Sequence, residues 1–292
     1  DLGADSITVG SAVSGGSIYG GSTTDTTGDG SDSISLASSA VGAFIQGNGG
    51  SDTISIALGV SGGSTVRGGA DSDSIVISAT ASGSTIFGDK GNDSIDIASS
   101  LVSSLLQGGS NTDTTSDGSD SISITGSASA STVQGNAGND TIRINGVFDA
   151  STVRGGANED LVSIGGAITS ALLTGDLGND SLSLFGATVT ASTIYGDNSG
   201  TAGGDDSISM AATVVANSSV FGGVGNDILV LAAGNQLLTS TFDGGAGADT
   251  MSITGSAVSV TVLGGAGNDS MLLSFSGTTG SNANSFYSGG IG

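Results

Sequence analysis

Isoleucine, valine and leucine alternate with serine and threonine in short bursts along the whole chain, as in Ser121-Ile122-Ser123-Ile124. Alternation of period two puts the apolar side chains on one face, so each burst predicts a short strand. An aspartate precedes every burst, at Asp5, Asp32, Asp52, Asp73, Asp93, Asp120, Asp140, Asp160, Asp180, Asp206, Asp227, Asp249 and Asp269. The steps between them are 27, 20, 21, 20, 27, 20, 20, 20, 26, 21, 22 and 20 residues. The unit is therefore about 20 residues, and it fills residues 1–292 with no linker or second domain. After the first strand comes a small-residue bend, then a second short strand such as Thr132-Val133-Gln134, then a glycine turn back to the next aspartate.

The first strand supplies one inward column (Ile7, Ile34, Ile54, Ile75, Ile95, Ile122, Ile142) and a second two residues later (Val9, Leu36, Ile56, Ile77). The other strand adds Ile18, Ile45, Val66, Ile86, Leu106, Val133, Val153, Leu173 and Ile194. One unit cannot bury three aliphatic residues alone, but stacked units form a continuous ladder. The expected fold is all-β: a right-handed parallel β-solenoid, β-roll-like, with two narrow sheets and about 13 coils. At the strand spacing such a rod is roughly 60 Å long. An antiparallel sandwich would need longer strands and hairpin turns at closer spacing, which the regular register argues against.

Composition narrows the chemistry. Proline, cysteine, histidine and tryptophan are absent, which removes disulfide, haem, zinc-finger and Cys/His-nucleophile chemistry. Four basic residues (Arg67, Lys90, Arg143, Arg154) stand against 27 acidic ones, for a net charge of -23, so no nucleic-acid partner is expected. No apolar run is long enough to span a membrane as a helix. Disorder fits badly with 36% hydrophobic residues in regular spacing.

The glycine turn carries the candidate site. Its fuller forms are Gly47-Asn48-Gly49-Gly50-Ser51-Asp52, Gly135-Asn136-Ala137-Gly138-Asn139-Asp140, Gly222-Gly223-Val224-Gly225-Asn226-Asp227 and Gly264-Gly265-Ala266-Gly267-Asn268-Asp269. The segments Gly88 to Asp93, Gly175 to Asp180 and Gly244 to Asp249 follow the same pattern. These turns resemble the GGxGxDxUx nonapeptide of the RTX, or haemolysin-type, family, a calcium-binding β-helix signature. The resemblance implies one Ca2+ between adjacent turns, held by aspartate side chains and glycine carbonyls, with up to about 12 ions along one edge. The ligands so implied come from Gly47, Gly49, Asp52, Gly68, Asp73, Gly88, Asp93, Asp120, Gly135, Asp140, Asp160, Gly175, Asp180, Asp206, Gly222, Asp227, Gly244, Asp249, Gly264 and Asp269. The fourth turn position is Gly in the full matches but Asp71 and Asn158 elsewhere, which predicts positive φ at both.

Electrostatics points the same way. Carboxylates one strand spacing apart repel by roughly 1 to 3.5 kcal/mol per pair between water and an effective dielectric of 20, so the stack calls for counterions. Departures weaken some positions: Thr27, Thr115 and Thr201 stand where the first glycine is expected before Asp32, Asp120 and Asp206. The opposite bend, such as Gly126-Ser127-Ala128-Ser129-Ala130, carries no aspartate, so the variant is one-edged.

The long steps coincide with Thr/Asp-rich insertions near 22–28, 110–118 and 198–204, marking a higher unit of four coils. No catalytic set is visible, so the expectation is not an enzyme. It is a structural, secreted protein resembling repetitive bacterial surface proteins, cyanobacterial fibrils among them, that self-associates into a filament or an S-layer-like lattice. A cell-surface polysaccharide is a further candidate partner. The alternative is a passive calcium-binding RTX module of a secreted adhesin, toxin or enzyme. Ice binding is disfavoured, because the third turn position varies through Gly, Ala, Lys, Leu and Val instead of forming a Thr/Asn array.

Overall fold

A computed structural model describes residues 2–22, 28–109, 117–198, 203–275 and 285–290. The chain divides into two compact units, Asp1–Asn145 and Gly146–Gly292. Each is an all-β parallel solenoid, and no helix occurs among the described residues.

In the first unit a coil consists of three strands, for example Thr53–Ile56, Val60–Ser61 and Thr65–Ala70. Equivalent strands of successive coils pair in parallel and in register, so Ile34, Ile54, Ile75, Ile95, Ile122 and Ile142 form one column. Ile18, Ile45, Val66, Ile86, Leu106 and Val133 form the facing one. From Ile34 onward these side chains are no more than 1% exposed. Burying each isoleucine contributes about 1.5–3 kcal/mol, and because every coil covers its neighbour the gain recurs along the stack. Outward positions beside them, such as Ser33, Thr53 and Ser74, are polar, as the alternation requires.

The second unit repeats the plan. Val162, Leu182, Ile208, Leu229 and Met251 stack on one side, and Val153, Leu173, Ile194, Val220, Phe242 and Val262 on the other. Towards its end the first two strands of a coil merge into Ile228–Leu238 and Thr250–Val258, with a register shift between Leu231 and Asn235.

The three-strand coil differs from the two-strand reading. The small-residue bend holds a two-residue strand with one inward side chain, namely Ala40, Val60, Ala81, Leu101 or Ala128 in the first unit. Two residues are too few for alternation to register in sequence. The last strand also runs further than three residues, through the glycines to Ala70, Ala137 or Ala157.

Candidate functional site

Each anchor aspartate lies at the start of the first strand with its side chain turned inward under the glycine turn. Asp32, Asp52, Asp73, Asp93, Asp120 and Asp140 are between 1% and 4% exposed. Asp160, Asp180, Asp206, Asp227 and Asp249 are equally buried, and Asp269 is half-buried. Their Oδ1 atoms cap the preceding coil. The backbone N–H of Asp32 donates to Asp52, that of Asp52 to Asp73, and that of Asp73 to Asp93, all at 2.7 Å. Asp93 donates to Asp120 at 2.8 Å and Asp120 to Asp140 at 2.7 Å. In the second unit Asp160, Asp180, Asp206 and Asp227 each donate at 2.8 Å to Asp180, Asp206, Asp227 and Asp249, and Asp249 donates to Asp269 at 3.0 Å.

The second oxygen has no such partner. Oδ2 of Asp52, Asp73, Asp93, Asp120, Asp180, Asp206, Asp227, Asp249 and Asp269 is buried and accepts no hydrogen bond. It rests against the bare Cα of the first turn glycine. A methyl group on Gly47 would overlap both Oδ2 of Asp52 and the carbonyl oxygen of Gly68 in the next coil. Gly68, Gly88, Gly222, Gly244 and Gly264 meet the same two oxygens, the aspartate of their own turn and the following glycine carbonyl. Gly175 meets Asp180 alike. Gly135 and Gly49, also expected as ligands, lie in the strands Thr132–Ala137 and Phe44–Gly49 that enter this edge.

Burial is the largest cause of an upward shift in these carboxyls, ahead of their like-charged neighbours. It pushes Asp73 and Asp120 up to about 9, Asp206 to about 8, and Asp52, Asp93, Asp180 and Asp227 to about 7. The N–H cap from the preceding aspartate pulls each one partly back. Repulsion alone, the basis of the sequence argument, is thus the smaller part of the cost. A hard cation placed among the orphaned Oδ2 atoms and glycine carbonyls would remove it, and such oxygen sets suit Ca2+. Among the described residues no three carboxylates converge, so backbone carbonyls have to complete the shell.

Two expectations about the turn are met and one is corrected. Asp71 and Asn158 do have positive φ, 73° and 79°. Asn48, Asp89, Asn136 and Asp176 in the second turn position share it, at 81° to 89°. The turns before Asp32, Asp120 and Asp206 do not lack their glycine: Gly20, Gly108 and Gly196 face those carboxylates from ahead of the insertions. The threonines Thr27, Thr115 and Thr201 belong to stretches 23–27, 110–116 and 199–202, outside the described residues. Gly155, facing Asp160, also went unassigned although its segment Gly155-Gly156-Ala157-Asn158 has the pattern.

A serine ladder on the opposite edge escaped the sequence reading. Ser84 donates its N–H to Oγ of Ser104 at 3.1 Å, and Ser104 to Ser131 at 3.2 Å. Ala171 donates to Ser192, Ser192 to Ser218, and Ser218 to Ser240, at 3.1 to 3.3 Å. The recurring Ser-Thr pairs at 64, 84, 131, 151, 192 and 240 were the available signal.

No family model matches the chain, and no curated protein matches its sequence. Among solved structures it is similar to the crystal structure of a hyperactive, Ca2+-dependent, β-helical antifreeze protein from an Antarctic bacterium. The TM-score is 0.62 at 20% sequence identity, over 96% of this chain and 86% of that one. The likeness extends to the parallel β-solenoid fold.

Proposed function

We propose that the chain is a calcium-stabilised structural solenoid of the RTX-like kind, secreted and assembled at a cell surface as a filament or lattice. The observation that carries this reading is the row of buried carboxylates whose Oδ2 atoms lack a donor and share the space beside the first turn glycine with the next coil's glycine carbonyl. Asp52 with Gly68, Asp73 with Gly88, and Asp227 with Gly244 would each hold one ion between turns. When bound, Ca2+ supplies the positive charge that lets these aspartates stay ionised while buried. The aspartates and glycines themselves fix the turn and cap the neighbouring strand. The dependence of the similar antifreeze structure on Ca2+ agrees with this reading. Its ice activity is not carried over, because the third turn column (Ala70, Lys90 and Ala137; Ala157, Leu177 and Val224) presents no repeated threonine or asparagine.

Circular dichroism tests it. Strand signal is expected in millimolar Ca2+ and is expected to be lost on chelation at about pH 9, where the buried carboxyls ionise, because a ligand of the folded state alone stabilises it by mass action. Mg2+, which keeps its waters, should restore little. A chelated sample that kept its full signal and melting temperature would reject Ca2+ as the organising ion.

A further inference from the structure

A second arrangement starts at the turn position after Gly196 and extends onto the outer face of the six-residue-strand sheet in the second unit. An open cleft of about 270 Å³ is lined by Tyr195, Asp197, Phe221, Gly223 and Asp243. The rings of Tyr195 and Phe221 stack with centroids 5.0 Å apart. Asp197 is only 5% exposed. It leans over Gly223, where a Cβ would collide with it, and its Oδ2 accepts the N–H of Val224 at 3.1 Å. The Gly204 N–H also bonds the carboxyl. Its Oδ1 is buried with no hydrogen-bond partner, and so is Oδ1 of Asp243. Among the described residues neither carboxylate has a salt bridge.

The chain itself shows what satisfies such a place. Phe87-Gly88-Asp89 has the same local sequence form, aromatic-Gly-Asp, as Tyr195-Gly196-Asp197. In the first unit, Arg67 is the register partner of Phe87 on the preceding coil. Its guanidinium lies 4.6 Å from the Phe87 ring centroid and forks onto Asp89, with Nε 2.8 Å from Oδ2 and Nη2 bonded to Oδ1. Arg154 pairs with Asp176 in the same relation. The register partner of Tyr195 is Thr174, which bonds Asp176 and brings no charge. Asp197 therefore keeps the aromatic ring and the buried carboxylate of the Arg67 site without its guanidinium, and its cleft opens on the other side, toward Phe221 and Asp243 of the following coils. A planar cation is matched by the open face of a stacked ring and by two acceptors, the Oδ1 atoms of Asp197 and Asp243, whereas a hard metal ion gains nothing from the ring.

We propose that this cleft is a binding site for a guanidinium group, the side chain of an arginine presented by a ligand, with Phe221 and Tyr195 as the stacking face and Asp197 and Asp243 as its acceptors. The site shares the turn of Gly196, whose bare Cα faces Asp206, so binding is measured with that edge loaded with calcium.

The test titrates N-acetyl-arginine amide into the full chain in calcium buffer, followed by tyrosine fluorescence and by NMR. Saturable binding is expected, at least about tenfold tighter than for N-acetyl-lysine amide, since a point charge neither forks nor stacks as well. Asp197→Asn and Asp243→Asn should each weaken it by about tenfold or more, the loss of a charge-assisted acceptor, with the strand signal unchanged. Should Asp197→Asn disturb the turn, Asp243→Asn, whose side chain lies on the strand face, still decides. Absence of saturable binding, equal affinity for the lysine analogue, or unchanged affinity in Asp243→Asn would overturn the proposal. So would a terbium stoichiometry that falls by one in Asp243→Asn, which would make the cleft a metal site.

Discussion

Among the described coils many close at two edges, and at both a side-chain oxygen reaches back to the backbone N–H of the coil before it. On one edge the residue is aspartate, on the other serine, and the spacing between donor and acceptor is 20 to 27 residues in either case. The serine is complete in itself. Ser104 accepts from Ser84 and passes its own hydrogen to the carbonyl of Val102 at 2.8 Å, and Ser218 does the same with Ala216 at 2.9 Å. The aspartate accepts through one oxygen and, once ionised, has no hydrogen to give with the other. The same capping job thus leaves one edge neutral and closed and the other charged and short of a cation. What separates a structural turn from a candidate metal turn here is the second oxygen, not the backbone cap.

The largest effect expected from that difference is a pH response in metal-free protein. The carboxyls titrate near 3.8 unfolded and at about 7 to 9 when buried at Asp52, Asp73, Asp120 and Asp206. A folded pKa above the unfolded one gives stability that is full below pH ~4 and is lost as pH rises through the folded values. Chelated protein should therefore melt highest below about pH 4 and lose its strand signal by about pH 9, while calcium-loaded protein should hold at about pH 8 and weaken in acid. A flat melting profile across this range in chelator would show that the aspartate edge is as self-sufficient as the serine edge.

Paired substitutions sharpen the contrast. Asp120→Asn keeps an acceptor for Asp93 and adds a donor, so it should raise the melting temperature in chelator and cost about 3 kcal/mol in calcium. Ser131→Ala should cost about 1–3 kcal/mol through the uncapped Ser104 N–H, equally with and without calcium. Parallel responses of the two variants in calcium titrations monitored by melting would erase the distinction.

Glycines provide a smaller version of the test. Gly88→Ala drives a methyl into Asp93 and the carbonyl of Gly108, for a cost of about 2 kcal/mol. Gly83→Ala, in open space on the serine edge at φ 57°, should cost less than about 1 kcal/mol. Ala130 and Ala150 already occupy that place in other coils at 48° and 47°. Smallest of all, Thr239→Gly relieves a β-branched residue at φ 48° and should stabilise by no more than about 1 kcal/mol in urea unfolding. Asn158→Gly should be near neutral by the same measurement.

The solenoid and the inward columns are legible in sequence because a parallel in-register stack repeats each side chain's environment at fixed separation. Ile34 to Ile142 could be picked out by eye. The two-residue strand at Val60–Ser61 could not, since its signal is one aliphatic among small residues. Gly20, Gly108 and Gly196 were hidden because an insertion between glycine and aspartate breaks linear spacing but leaves the spatial pairing intact. The serine ladder was masked by composition: in a chain so rich in serine, those that cap a strand look like the many on the outer faces. The cleft at Asp197 needed coordinates, for it gathers Tyr195, Phe221 and Asp243 from three successive coils.

The N–H to carboxylate bonds between anchor aspartates run one way, from each coil to the one that follows it in the chain. A polypeptide that becomes free to fold from its N-terminus onward can order each coil on the template of the last, waiting for only about one more repeat of chain. Contact distance along the backbone stays near 20 residues however long the stack grows. The search that slows other β proteins, whose partners lie far apart, therefore does not lengthen with the molecule.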